Sequence, residues 1–185
     1  CRAGGFGITL IGETAPQVAG NRMDPLDFWG VYAYSIAERL DIIGNRLARC
    51  ASQMSDLAFS IGCYSIVGEA NISENEVFNS GSDGTAQARS KADYGIMGDL
   101  VLEARVEGNQ VTYGNAGARN VTREDRALII RGALELWVNS DIIALGFAAH
   151  ILGNRFIGTG RTALVELREM RINDRTIVRF ERVAF

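Results

Sequence analysis

The stretch DPLDFWGVYAYSIAERLDIIGNRLARCASQM, Asp24 to Met54, decides how the rest of the chain is read. Asp24 is a good N-cap, Pro25 suits the first helical position, and Asp27 adds negative charge to the first turn. Apolar residues follow at Trp29, Tyr32, Ala33, Ile36, Leu40, Ile43, Leu47, Cys50 and Met54. Their spacings of three and four make one helical stripe. Arg46 and Arg49 complement the C-terminal end of the helix dipole. Gly30 and Gly44 weaken such a helix by about 1 kcal/mol each relative to alanine. The stretch therefore predicts one long amphipathic helix whose broad aromatic start suits packing across a sheet.

Outward from that helix, the pattern changes to strands. Residues 1–23 hold the apolar FGITLIG in a glycine-rich setting and read as an extended N-terminal arm. LAFSIGCYSIVGEANI, after the helix, reads as a strand, and the polar run 73–90 as a long loop. The second half repeats one plan three times, two extended runs around Gly108-Asn109, Asn139-Ser140 and Asn173-Asp174. Asn, Asp and Gly tolerate positive φ, so each point predicts a hairpin turn. Leu100, Leu102, Ala104 and Val106 alternate with Asp99, Glu103 and Arg105, as strand residues do. No period is strict enough for a sequence repeat. The expected fold is a single α+β domain over 24–185, with the helix packed on a mainly antiparallel sheet of three successive β-hairpins.

Composition bounds the function. The chain has 185 residues, 47% hydrophobic and 22% charged, values of a globular protein able to bury a core. A net charge of −3 excludes the basic excess of a nucleic-acid surface. Of 19 basic residues only Lys91 is a lysine, a bias that fits either genomic base composition or a use for forked hydrogen bonding. His150 is the only histidine, so zinc chemistry and Ser-His or Cys-His catalysis lack parts. On strand register it shares a face with Ile142, Ala144, Gly146 and Ala148, which predicts a partly buried structural side chain. GGFGITLIG lacks the third glycine of a dinucleotide fingerprint, and the acids Glu74, Glu76 and Asp83 lack calcium-loop spacing. GTGR at 158–161 reads as a plain loop between strands, and the acceptor patterns at Asn71 and Asn120 as chance matches. No cofactor and no metal is expected.

Cys1 opens the chain, and with Cys50 and Cys63 it makes an odd cysteine count. A mature chain that begins CRAGG resembles a bacterial outer-membrane lipoprotein. That resemblance implies lipid on Cys1, an outer-membrane location facing the periplasm or the surface, and a Cys50–Cys63 disulfide in an oxidising compartment. The stretch Ala86 to Gly108 and the run LELWVNSDIIALG are similar to curli-secretion-type lipoproteins, which implies a helix against a small sheet and assembly into oligomers. A Cys1 start also resembles N-terminal-nucleophile hydrolases, where a freed amine serves its own thiol and two sheets lie between helices. A third alternative is a soluble binding domain whose start is a cloning boundary. The favoured expectation is a lipid-anchored structural or assembly component of the cell envelope, non-enzymatic and homo-oligomeric. Its interface falls on strand edges at Phe6, Ile8, Leu10, Ile11, Phe180 and Phe185.

Overall fold

The computed structural model describes residues 5–24, 26–50, 57–78, 92–112, 124–133, 135–138, 141–144, 148–157, 165–170 and 180–181. None of these is helical. The first coil is β1 (Ile8–Ile11), β2 (Gln17–Ala19) and β3 (Arg22–Met23). The second is β4 (Val31–Ile36), β5 (Arg39–Ile43) and β6 (Arg46–Ala48), and the third is β7 (Leu57–Ser73) and β8 (Glu76–Phe78). The fourth is β9 (Ala92–Glu107) and β10 (Gln110–Thr112). The fifth starts with β11 (Glu124–Ala133), carries β12 (Glu135–Val138) and β13 (Asp141–Ala144), and ends with β14 (Ala148–Leu152) and β15 (Arg155–Ile157). β16 (Val165–Met170) and β17 (Phe180–Glu181) follow.

Successive coils stack in parallel register on three faces. The first face runs β1, β4, β7, β9, β11, β16, with β17 closing it antiparallel. The second joins β2 and β5 to the later halves of β7 and β9 and then to β14. The third runs β3, β6, β8, β10, β15. This is a parallel β-solenoid, in which each coil buries its apolar side only by stacking on its neighbours. Like residues superpose inside it: Ile8, Val31, Ile61, Ile96 and Leu128 on the first face, Val18, Ile42, Ile72 and Val106 on the second. Leu47, Val77 and Val111 line the third. Full burial of an aliphatic side chain contributes about 2 kcal/mol.

The long helix of the sequence reading is thus three strands, β4, β5 and β6. Val31 and Ala33 alternate inward, as do Leu40 and Ile42, and corners separate them from Ile36 and Leu47. A period of two interrupted by corners reproduces spacings of three and four. Ser35, Gly44 and Arg49 have φ of 58°, 63° and 53°, a left-handed conformation that a right-handed helix does not contain. The antiparallel hairpin plan also fails at Gly108-Asn109, where β9 turns into β10 and β10 pairs in parallel with β8 and β15. β12 and β13, which flank 139–140, do form an antiparallel pair. The turn at 173–174 lies outside the described residues. The stretch read as an arm forms the first coil, and the polar run after Ser73 begins with β8.

An asparagine ladder pins the corner between the second and third faces. Asn21, Asn45, Asn75, Asn109 and Asn154 lie one above another, 24, 30, 34 and 45 residues apart in sequence. In each step the lower-numbered residue donates both its backbone N–H and its side-chain amide to the Oδ1 of the next, at 2.9–3.0 Å. From Asn45 onward the amide also donates to a carbonyl of the preceding coil: Val18, Ile42, Ile72 and Val106 in turn. Immediately before each ladder residue sits a left-handed residue: Gly20, Gly44, Glu74, Gly108 and Gly153.

Glu74 breaks that column of glycines at φ 57°. Its N–H donates to Glu107 O as Gly44 donates to Ser73 O, so glycine would keep the corner bond. Left-handed backbone costs a residue with a Cβ about 1 kcal/mol or more. Glu74→Gly is expected to stabilise the fold by about 1 kcal/mol and to raise Tm by about 3 °C. Thermal unfolding checks this, and an unchanged Tm would mean that the Glu74 side chain contributes as much as the strain costs.

Candidate functional site

The N-terminal coil gathers the residues that the sequence assigns to an interface. β1 is the terminal strand of the first face. Its inner groups reach β4, with Ile8 N–H donating to Gly30 O at 2.8 Å. Its outer edge meets no strand among the described residues. Ile8 and Leu10 are half-buried against the core, while Ile11 is 63% exposed and Phe6, just before the strand, 55% exposed. Phe6 stacks on Phe28 at 4.3 Å and lies 4.6 Å from Trp29, whose indole N–H donates to Thr9 Oγ1 at 3.0 Å. An aromatic cluster through Tyr32 and Phe59 therefore braces the edge from its outer side. Asn21 ends the ladder on the same coil, and among the described residues no donor reaches its Oδ1.

Phe180 does not join this group. It lies on β17, at the opposite end of the first face. Phe185, Cys1 and the GTGR loop lie outside the described residues. The disulfide is not formed: Cys50 and Cys63 are buried free thiols. Cys63 superposes on Ala33 and Gly98, whereas Cys50 packs by Gly30, whose N–H bonds Ser60 O. Three strand positions, about 10 Å, separate the two sites, beyond disulfide reach. Burial pushes both thiols up to about 12, so they stay protonated at neutral pH.

The second face carries the polar chemistry. Asp41, Asn71, Arg105 and His150 superpose on its outer side. His150 is thus exposed rather than partly buried, with Nε2 3.0 Å from Glu107 Oε1. Its neighbours Ala149 and Ile151 hold the register positions of the inward-facing Ala104 and Val106. Burial raises the Asp41 carboxyl, but hydrogen bonds from Arg39 and Asn71 outweigh it and hold the group below its ordinary range. The hydrogen bond from Arg105 does the same for Glu107. Glu69 and Glu103 stand opposite each other in register, and with Arg105 and His150 they line an open cleft of about 430 Å³. Exposed pairs of this kind contribute about 0–1 kcal/mol each.

The sequence reading takes Asn109 as a hairpin turn and makes no use of Asn21, Asn45, Asn75 and Asn154, although a signal for the ladder is present. GNRM, GNRL, ENEV, GNQV and GNRF begin at positions 20, 44, 74, 108 and 153. Comparison with protein-family models, with curated proteins and with solved structures finds no match to this chain.

Proposed function

We propose that the protein is a structural assembly module, a rigid solenoid that joins a second copy of itself through its N-terminal coil. The observation that carries this reading is the edge of β1. Natural sheets blunt an open edge with charge, proline or a bulge. β1 is Ile-Thr-Leu-Ile and has none of these. The exposed Phe6 precedes it and the exposed Ile11 ends it, and Asn21 Oδ1, which no donor reaches among the described residues, adds an acceptor to the same end. Two copies meeting head to head about a two-fold axis pair β1 antiparallel with its counterpart. Such an interface is self-complementary and closes at a dimer. Main-chain bonds supply affinity, and the apolar side chains supply burial.

Light scattering at several concentrations tests the reading. The wild-type chain is expected as a dimer, and Ile11→Lys as a monomer with unchanged circular dichroism, since Ile11 is exposed. A wild-type chain that stays monomeric at its highest soluble concentration, or a dimer indifferent to Ile11→Lys, overturns the proposal.

A further inference from the structure

The outer side of the third face holds a concentration of arginine. Parallel pairing of β3 with β6 places Arg22 directly opposite Arg46, one strand spacing of about 4.8 Å away. Like charges so placed destabilise a sheet. Arg46 has Glu76 at 3.3 Å and Arg49 has Asp24 at 2.7 Å. Among the described residues Arg22 has no carboxylate within ion-pair distance. All three arginines line one cleft of about 360 Å³, together with Asp24, Met23, Ala48 and Phe78. Phe78 is 47% exposed there, and Ala48, its register partner, extends the apolar wall. Arg49 is held at φ 53°, a conformation that costs a non-glycine residue of order 1 kcal/mol and recurs at ligand clamps.

We propose that this cleft binds a small oxyanion bearing an apolar group, such as a phosphate monoester or an organic carboxylate. The planar guanidinium forks of Arg22 and Arg46 match the paired oxygens of such a group and relieve their mutual repulsion. The apolar remainder packs on Phe78 and Ala48. The volume falls within the range of small-ligand sites. Asp24 is the internal competitor, because it already occupies Arg49 through both Nε and Nη2 at 2.7 Å.

Titration calorimetry with phenyl phosphate and inorganic phosphate tests the site. Phenyl phosphate is expected to saturate one site per chain and to bind more tightly than inorganic phosphate. Arg22→Gln and Arg46→Gln each weaken it about ten-fold or more, and both side chains are exposed, so the fold is retained. Asp24→Asn frees Arg49 and tightens binding. Arg155→Gln, in the same outward column but three strands beyond Arg46, leaves affinity unchanged. Absence of saturable binding overturns the site. So does an Arg155→Gln loss equal to that of Arg22→Gln, which would indicate diffuse charge. Equal affinity for the two phosphates overturns the apolar wall. Light scattering on the same samples separates these outcomes from failure of the dimer.

Discussion

Asn75→Leu is expected to lower the stability of the solenoid by roughly 3–6 kcal/mol, measured by urea unfolding followed with circular dichroism. Asn75 sits in mid-ladder and is 1% exposed. Its amide donates to Ile42 O at 2.8 Å and Asn109 Oδ1 at 3.0 Å, and its Oδ1 accepts from the Asn45 backbone and side chain at 2.9 and 3.0 Å. Leucine keeps the size and the backbone N–H but removes all four bonds. The Asn45 N–H, one Asn45 amide proton and the Ile42 carbonyl are left without those partners in the interior. Each such group costs about 1–3 kcal/mol. Asn21→Leu, at the half-buried end of the ladder, is expected to cost only about 1 kcal/mol, because Asn45 Oδ1 keeps the backbone N–H of residue 21 and the Ala19 carbonyl that loses its donor is exposed. Equal losses at the two positions would show that the ladder's interior is no drier than its end. Asn75→Asp gives the sign of the effect with pH. Only the protonated carboxyl can donate to Ile42 O or Asn109 Oδ1, so the folded state raises its pKa. Measured against the wild type, the variant's loss of stability is then smallest in acid and grows as pH rises from the ordinary carboxylate range through the raised folded-state pKa.

These bonds explain why the strands were legible in the sequence and their arrangement was not. Leu57 to Ile72 and Tyr94 to Glu107 read as extended from their apolar and alternating residues, and they lie in β7 (Leu57–Ser73) and β9 (Ala92–Glu107). Glu103 and Arg105 face out and Ala104 and Val106 face in, as the alternation predicts. Leu100 departs from it, since φ of 55° makes it a corner between two faces. A left-handed Gly-Asn serves a hairpin and a solenoid corner equally well, so the turn chemistry at Gly108-Asn109 was sound and its consequence was not. Unequal intervals of 24, 30, 34 and 45 residues, and Glu74 in place of glycine, hide the recurrence of Asn.

The candidate sites divide along the same line. FGITLIG, Phe6 to Gly12, is apolar and uncharged in the sequence, and within it Phe6 and Ile11 are exposed. Phe180 is expected at a strand edge with them, and sheet order places it on β17, at the other end of the first face from β1. Arg22 and Arg46 stand 24 residues apart in ladder terms and meet only through register, as Glu69 and Glu103 do. No local pattern announces a pairing of that kind until the coil length is known.

Close stacking also sets where a single methyl group is intolerable, and Gly68→Ala is the strongest case. Gly68 lies in the corner where β7 passes from the first face to the second, beside the register shift between Ile66 and Glu69. A Cβ built there would land on the carbonyl oxygen of Glu38 in the coil below. That oxygen is fixed, because it accepts the Glu69 N–H at 3.0 Å, and β4 and β5 on either side pair continuously with β7. Backbone, unlike the end of a flexible side chain, cannot swing aside, so the two coils must separate. Forced overpacking of this kind costs about 3 kcal/mol. Gly44→Ala is the matched comparison, since its Cβ would meet open space and only the left-handed backbone at φ 63° opposes it, at about 1 kcal/mol. Urea unfolding of the two variants is expected to rank Gly68→Ala well below Gly44→Ala in stability. A loss at Gly68 no larger than at Gly44 would mean that the coils part easily at this corner, and that the ladder, rather than the contact between coils, sets their spacing.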